Sequence, residues 1–183
     1  MSRISSSIIV DHQDLRQYYQ EYQAASGEVR FQLAQRLSWK LAMHTIAEEI
    51  VLYPAVEREL GAEVAAADRA EHDEVKAALA KIEASTDPAA ADELIQSLFT
   101  KLSAHFTDEE TNQLPALEEK LSDEENLALY TKFERSRDTF SKLITLPADK
   151  RPFNSTVALF STPLDKLPGI LLAAVNSMPQ SQK

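Results

Sequence analysis

The chain has 183 residues, 44% of them apolar, and carries a formal charge of −10. That length favours one domain with an ample core, and the acidic balance excludes the clustered Lys and Arg that nucleic-acid phosphates require. Cysteine is absent, which removes disulfides, thiolate metal ligands and cysteine nucleophiles and fits a reducing compartment.

Five helical segments follow in order. The first is expected from about Ser7 to Ala25, with Leu15, Tyr19 and Tyr22 on one face and Gly27 closing it. The second runs from about Glu28 to Leu60, with Gly61 as its terminating glycine. Its inward stripe is Leu33, Leu37, Leu41, His44, Glu48, Val51 and Ala55, spaced by threes and fours. The third spans about Ala62 to Ala84. Asp87 then caps a fourth, with Pro88 in its first turn, continuing to about Leu121 with a stripe of Leu94, Leu98, Leu102, His105 and Glu109. Ser122 and Glu125 match a capping box opening a fifth helix to about Leu146. Pro54 and Pro115 should kink or end their helices about two turns past the carboxylates.

The second and fourth helices superpose at an offset of 61 residues, pairing His44, Glu48 and Pro54 with His105, Glu109 and Pro115. The first and third superpose at 60, pairing His12 with His72. Two such hairpins, each with one apolar stripe, bury those stripes best against each other. The expectation is an all-α, up-down-up-down four-helix bundle with a pseudo-two-fold axis, within a domain of residues 1–146. The core is placed at about 7–121 and the fifth helix at about 122–146.

The remainder, 147–183, holds five of the eight prolines and two apolar patches, Val157–Phe160 and Ile170–Val175. It reads as an extension packing on the bundle's outside, with a docking segment for a protein partner as the alternative. No stretch approaches the roughly 20 apolar residues that span a bilayer, and the first ten residues lack the apolar length of a secretory signal. A soluble, cytoplasmic protein is expected.

All four histidines of the chain, His12, His44, His72 and His105, fall on repeat-related positions. Residues four apart lie about 40° apart around a helix, so His44 with Glu48, and His105 with Glu109, project from one face. Four imidazoles and two carboxylates then converge. That is enough to give two ions two imidazoles each, with the carboxylates bridging. Burying Glu48 and Glu109 in a Leu-lined stripe without a counter-charge would cost several kcal/mol each. A divalent cation removes that difficulty, and carboxylate with imidazole suits iron or manganese, with zinc a further candidate. The metal-free alternative pairs these glutamates with Arg16 and Lys76. Glu49 and Glu110 lie about 140° round from their histidines and read as outer carboxylates. A one-residue helical bulge would make Glu110 a rival ligand to Glu109. Among Asp11, Asp14, Glu71 and Glu74, one or two could orient an imidazole.

Asp11-His12, His44-x-x-x-Glu48-Glu49 with Tyr53-Pro54, Glu71-His72 with Val75-Lys76, and His105-x-x-x-Glu109-Glu110 with Pro115 resemble the hemerythrin-like (HHE cation-binding) family. The resemblance implies a four-helix bundle holding a non-haem, usually di-iron, centre with bridging carboxylates that binds dioxygen or nitric oxide, or senses or holds iron. Oxygen carriers of that family have a second histidine where Lys76 stands. Its loss implies an open coordination position and disfavours simple oxygen carriage.

The leading expectation is therefore a di-iron protein, two ions per chain, that binds O₂, NO or peroxide or buffers iron. The alternative is a metal-stabilised regulatory or protein-interaction module without redox chemistry. An open iron position would allow catalysis, but no substrate pocket can be read from the sequence.

Overall fold

The structure, a computed structural model, describes residues 2–146 and 150–176; the parts of the expected extension at 147–149 and 177–183 lie outside these. It is all-α. The helices are α1 (Ile4–Ala24), α2 (Gly27–Ala47), α3 (Tyr53–Glu59), α4 (Ala62–Ala84), α5 (Pro88–Asp108), α6 (Leu114–Glu118), α7 (Asp123–Thr145), α8 (Thr156–Phe160) and α9 (Leu167–Asn176). The third and fifth segments start and stop within a residue of the expected bounds. Ser122 closes the expected capping box: its hydroxyl accepts from Glu125 N, and its own N–H donates to the Glu125 carboxylate.

The second and fourth expected helices are each divided by one wide turn. Residues Glu48–Leu52 and Glu109–Gln113 adopt the π register, in which Tyr53 N–H donates to Glu48 O and Leu114 N–H to Glu109 O. The cause lies one residue further on. Pro54 and Pro115 have no N–H to continue an α ladder, and a proline ring collides with the carbonyl four residues back. An extra residue in the preceding turn relieves the conflict. The helices then resume as α3 and α6, so the prolines do not end them. Gly61, at φ 110°, makes the sharp turn into α4, and its N–H returns to Val56 O at 3.2 Å.

The helices close a ring: α1 packs on α2, α3 on α4, α4 on α5, and α6 back on α1. Leu15, Leu37, Leu41, Val75, Leu79, Leu98 and Leu102 are buried between them. The fifth helix, α7, lies outside this ring along α1 and α2, with α9 packed on its far side; α8 bridges α2 and α4. Among the described residues, no helix is long and apolar enough to cross a membrane.

Candidate metal centre

All four histidines and both glutamates of the repeat meet in the middle of the bundle. His12, His44, His72, Glu48 and Glu109 are each at most 4% exposed, and His105 is 8% exposed. The carboxylates span the centre. Glu48 Oε1 lies 3.2 Å from Nε2 of His44 and 3.8 Å from Nε2 of His12, and its Oε2 lies 3.3 Å from Nε2 of His72. Glu109 repeats this about the pseudo-two-fold axis: Oε1 is 3.5 Å from Nε2 of His105, and Oε2 is 3.4 Å from Nε2 of His12. Two half-sites result, His12 with His44 and His72 with His105. In each, the two imidazoles and Glu48 bring their donor atoms within 4.8 Å of one another.

The other face of each ring meets an outer carboxylate. Nδ1 of His12 is 2.8 Å from Glu110, and Nδ1 of His72 is 3.4 Å from Glu49. Nδ1 of His44 is 3.4 Å from Asp11, and Nδ1 of His105 is 2.7 Å from Glu71. Glu49 and Glu110 are repeat mates, and so are Asp11 and Glu71. A carboxylate on Nδ1 sets the tautomer and turns the Nε2 lone pair inward, as it does behind metal-bound histidines. Glu110 therefore sits behind His12, held also by Arg16 at 2.8 Å, while Glu109 faces the interior. Lys76 pairs with Glu49 at 2.7 Å. Neither cation reaches the inner glutamates, so the metal-free ionic pairing envisaged for Arg16 and Lys76 does not form.

Most interior polar atoms are left without a hydrogen-bond partner. Nε2 of His12, His44 and His105, both oxygens of Glu48 and Oε2 of Glu109 are buried and make no hydrogen bond. Such groups are rare in folded proteins because each forfeits its hydration. The electrostatics agree. Burial alone would lower the pKa of His12, but the nearby carboxylates of Glu109 and Glu48 outweigh it and raise it to about 10. His72, opposed by the same burial, is raised to about 9 by Glu48 and Glu49. Burial pushes Glu48 up, yet the neighbouring imidazoles of His44, His12 and His72 hold it well below the usual carboxylate range. The pocket demands positive charge. In the protein alone, protons on imidazole supply it; a divalent cation would take their place. The residues thus fit a metal: hard and borderline donors only, no sulfur, and most of the inward donor atoms without a hydrogen-bond partner.

Three residues beside the centre had no role assigned from the sequence, although Tyr53 stands in the motif quoted above. Tyr53 Oη lies 2.8 Å from Nε2 of His72 and 3.5 Å from Glu109 Oε1. The buried Asp68 accepts from Gln113 Nε2 at 2.7 Å, and burial raises its carboxyl to about 6. At repeat offsets of 60 and 61, Tyr53, Asp68 and Gln113 correspond to Leu114, Ile8 and Leu52. The signal was three polar-for-apolar exchanges between the halves. Tyr19, on the apolar face of α1, stacks on Phe99 at 4.0 Å between centroids.

Comparison with known proteins agrees with this geometry. Residues 3–117 match the family described as Hemerythrin HHE cation binding domain. The chain is 37% identical over 178 residues to an uncharacterized hemerythrin-like protein of Schizosaccharomyces pombe, covering 91% of this chain and 85% of that protein. No solved structure matches. With its duplicated helical hairpin, its four convergent imidazoles and this match over most of its length, the chain belongs to the hemerythrin HHE cation-binding domain family.

Proposed function

We propose that the chain is a cytoplasmic non-haem di-iron protein that binds O₂, NO or peroxide, or senses or buffers iron. His12 and His44 would hold one ion, His72 and His105 the other, with Glu48 and Glu109 shared between them. One observation carries this reading. Every Nε2 points at the two inner carboxylates, while every Nδ1 faces an outer one. Glu110 orients His12 in this scheme and does not ligate. Iron so held supplies a Lewis-acidic, redox-active centre for a small oxidant; manganese and zinc suit the same donors. The protein's own contribution is to fix ring orientation, exclude bulk water and keep Glu48 ionised.

Metal analysis of protein from iron-supplemented cells, with absorption spectra under air and argon, tests the proposal. Two irons per chain and air-dependent charge-transfer bands are expected. Wild-type protein without metal, and unchanged by His72→Ala or His105→Ala, would defeat it; zinc in place of iron would leave the site and remove the oxidant chemistry.

One contact favours a second reading, a metal-stabilised regulatory module. Arg137 of α7 holds Asp11 at 2.6 Å, and Asp11 faces His44, so occupancy of the centre would be felt by the helix on which α9 packs. Metal-dependent capture of a protein partner through 147–183 would support that reading.

A further inference from the structure

The duplication predicts two equivalent half-sites, but their surroundings differ. Outside the His12–His44 half lies α7. Ala42, Met43, Ile46 and Ala47 of α2 are all at most 5% exposed there, and Phe133 presents its ring edge-on to His44 at 6.5 Å. The repeat mates on α5 are Ser103, Ala104, Thr107 and Asp108, and all four are exposed. No described helix covers that face. In its place a cleft of about 720 Å³ runs between α4 and α5, and Asp68, Glu71, His72 and His105 contribute to its lining.

The outer carboxylates differ in the same sense. Asp11, behind His44, is buried and clamped by Arg137 at 2.6 Å. Its mate Glu71, behind His105, has a side chain 59% exposed. A ring whose orienting carboxylate is fixed by a cation stays aligned for its ion; one held by a solvated carboxylate is released more readily. The cleft also brings solvent up to the outer side of the second half, where His72 and His105 form part of its lining.

We infer that the two halves of the centre exchange metal unequally: the His72–His105 half loads and releases its ion through the α4–α5 cleft, and the His12–His44 half, sealed by α7 and braced by Arg137, retains its own. The inference rests on the two-ion reading above. It makes Glu71 and Arg137 positioning residues for different ions of one centre.

Cobalt(II), coloured and slow to oxidise, is the probe. Full-length protein loaded with two equivalents is mixed with excess EDTA, and the visible bands are followed in time. One equivalent is expected to leave at least about tenfold faster than the other. Glu71→Gln should speed the fast phase alone by about tenfold, the lower end of what loss of an orienting partner costs in metal affinity. Arg137→Gln should speed the slow phase alone. Ala104→Trp, at an exposed position over the cleft, should slow the fast phase. Two bound equivalents leaving in a single phase, or Glu71→Gln acting equally on both phases, would overturn the inference and leave the two-ion reading standing. Folded wild-type protein that takes up no cobalt would overturn both.

Discussion

The hydroxyl of Tyr53 lies 2.8 Å from Nε2 of His72. In an unbroken α-helix this contact would not form, because five residues on from Glu48 the chain has turned about 140° away. The π turn shifts the hydrogen bond to five residues and widens the turn, so Tyr53 swings back toward the side of Glu48, and Pro54 immediately after it enforces the turn. Proline thus acts on the centre from outside it, by deciding which side chain reaches the interior.

Tyr53→Phe removes the hydroxyl that partners His72 and leaves the ring's packing intact. In metal-free protein the change should cost about 1–2 kcal/mol, the usual range for a buried polar group losing its partner. With cobalt(II) bound the cost should shrink, since the ion engages the orphaned nitrogen. Urea unfolding with and without cobalt gives both numbers. An identical cost in the two states would mean that Tyr53 does not share the atoms that meet the metal.

Metal-free protein should lose stability as pH rises. The pKa of His12 is raised to about 10 and that of His72 to about 9, from an ordinary 6.5. A group whose folded pKa is raised stabilises fully below its unfolded pKa, and that stability is lost as pH climbs through the folded pKa. The window is therefore about pH 6.5 to 10. Metal-loaded protein should run the other way at the lower end, because the ion competes with these protons and binds more tightly as they leave. Thermal melts by circular dichroism, with chelator and with metal, measure the two slopes. A metal-free Tm that rises across this interval would contradict the proton-filled centre.

Lys76 braces Glu49 at 2.7 Å and also meets Asp73 at 3.0 Å. Glu49 in turn backs His72. Lys76→Met keeps the aliphatic stem and removes the charge, so Glu49 is left buried without its cation. Cobalt affinity should fall by about tenfold through misorientation of His72, with helical content unchanged. Calorimetric titration checks the first and circular dichroism the second. An unchanged affinity would show that Glu49 holds His72 without help.

Much of this was legible in the residues themselves. The stripe from Leu33 through His44 to Glu48, its copy from Leu94 to Glu109, and the paired offsets placed six inward groups and their pseudo-symmetry, because helical spacing alone determines which side chains share a face. The capping box at Ser122 located α7 for the same local reason. What periodicity at 3.6 residues cannot carry is a turn that breaks it, so the inward placement of Tyr53 and Gln113 was not legible. The docking of α7 was visible only as a difference. Ala42, Met43, Ile46 and Ala47 make α2 apolar beyond its inward stripe, whereas Ser103, Ala104, Thr107 and Asp108 leave α5 amphipathic. A helix apolar on more than one side needs a second neighbour. Comparing each half with its own repeat, instead of averaging them, would have named the covered face.

Phe133 is the anchor of that second neighbour. It is fully buried, and it presses α7 onto the hairpin that carries His44. Phe133→Ala should cost about 3–5 kcal/mol in metal-free protein, the range for emptying a buried aromatic site. Leu127→Ala, on the same helix but 49% exposed, should change stability by no more than about 0.5 kcal/mol. Saturating metal should offset part of the Phe133 loss, because an ion that binds only the folded centre adds its binding energy to stability. Urea midpoints for the two variants, each with and without cobalt(II), separate the effects. If Phe133→Ala proved as mild as Leu127→Ala, α7 would be held by its polar contacts at Asn126 and Arg137, and the apolar face of α2 would need another explanation.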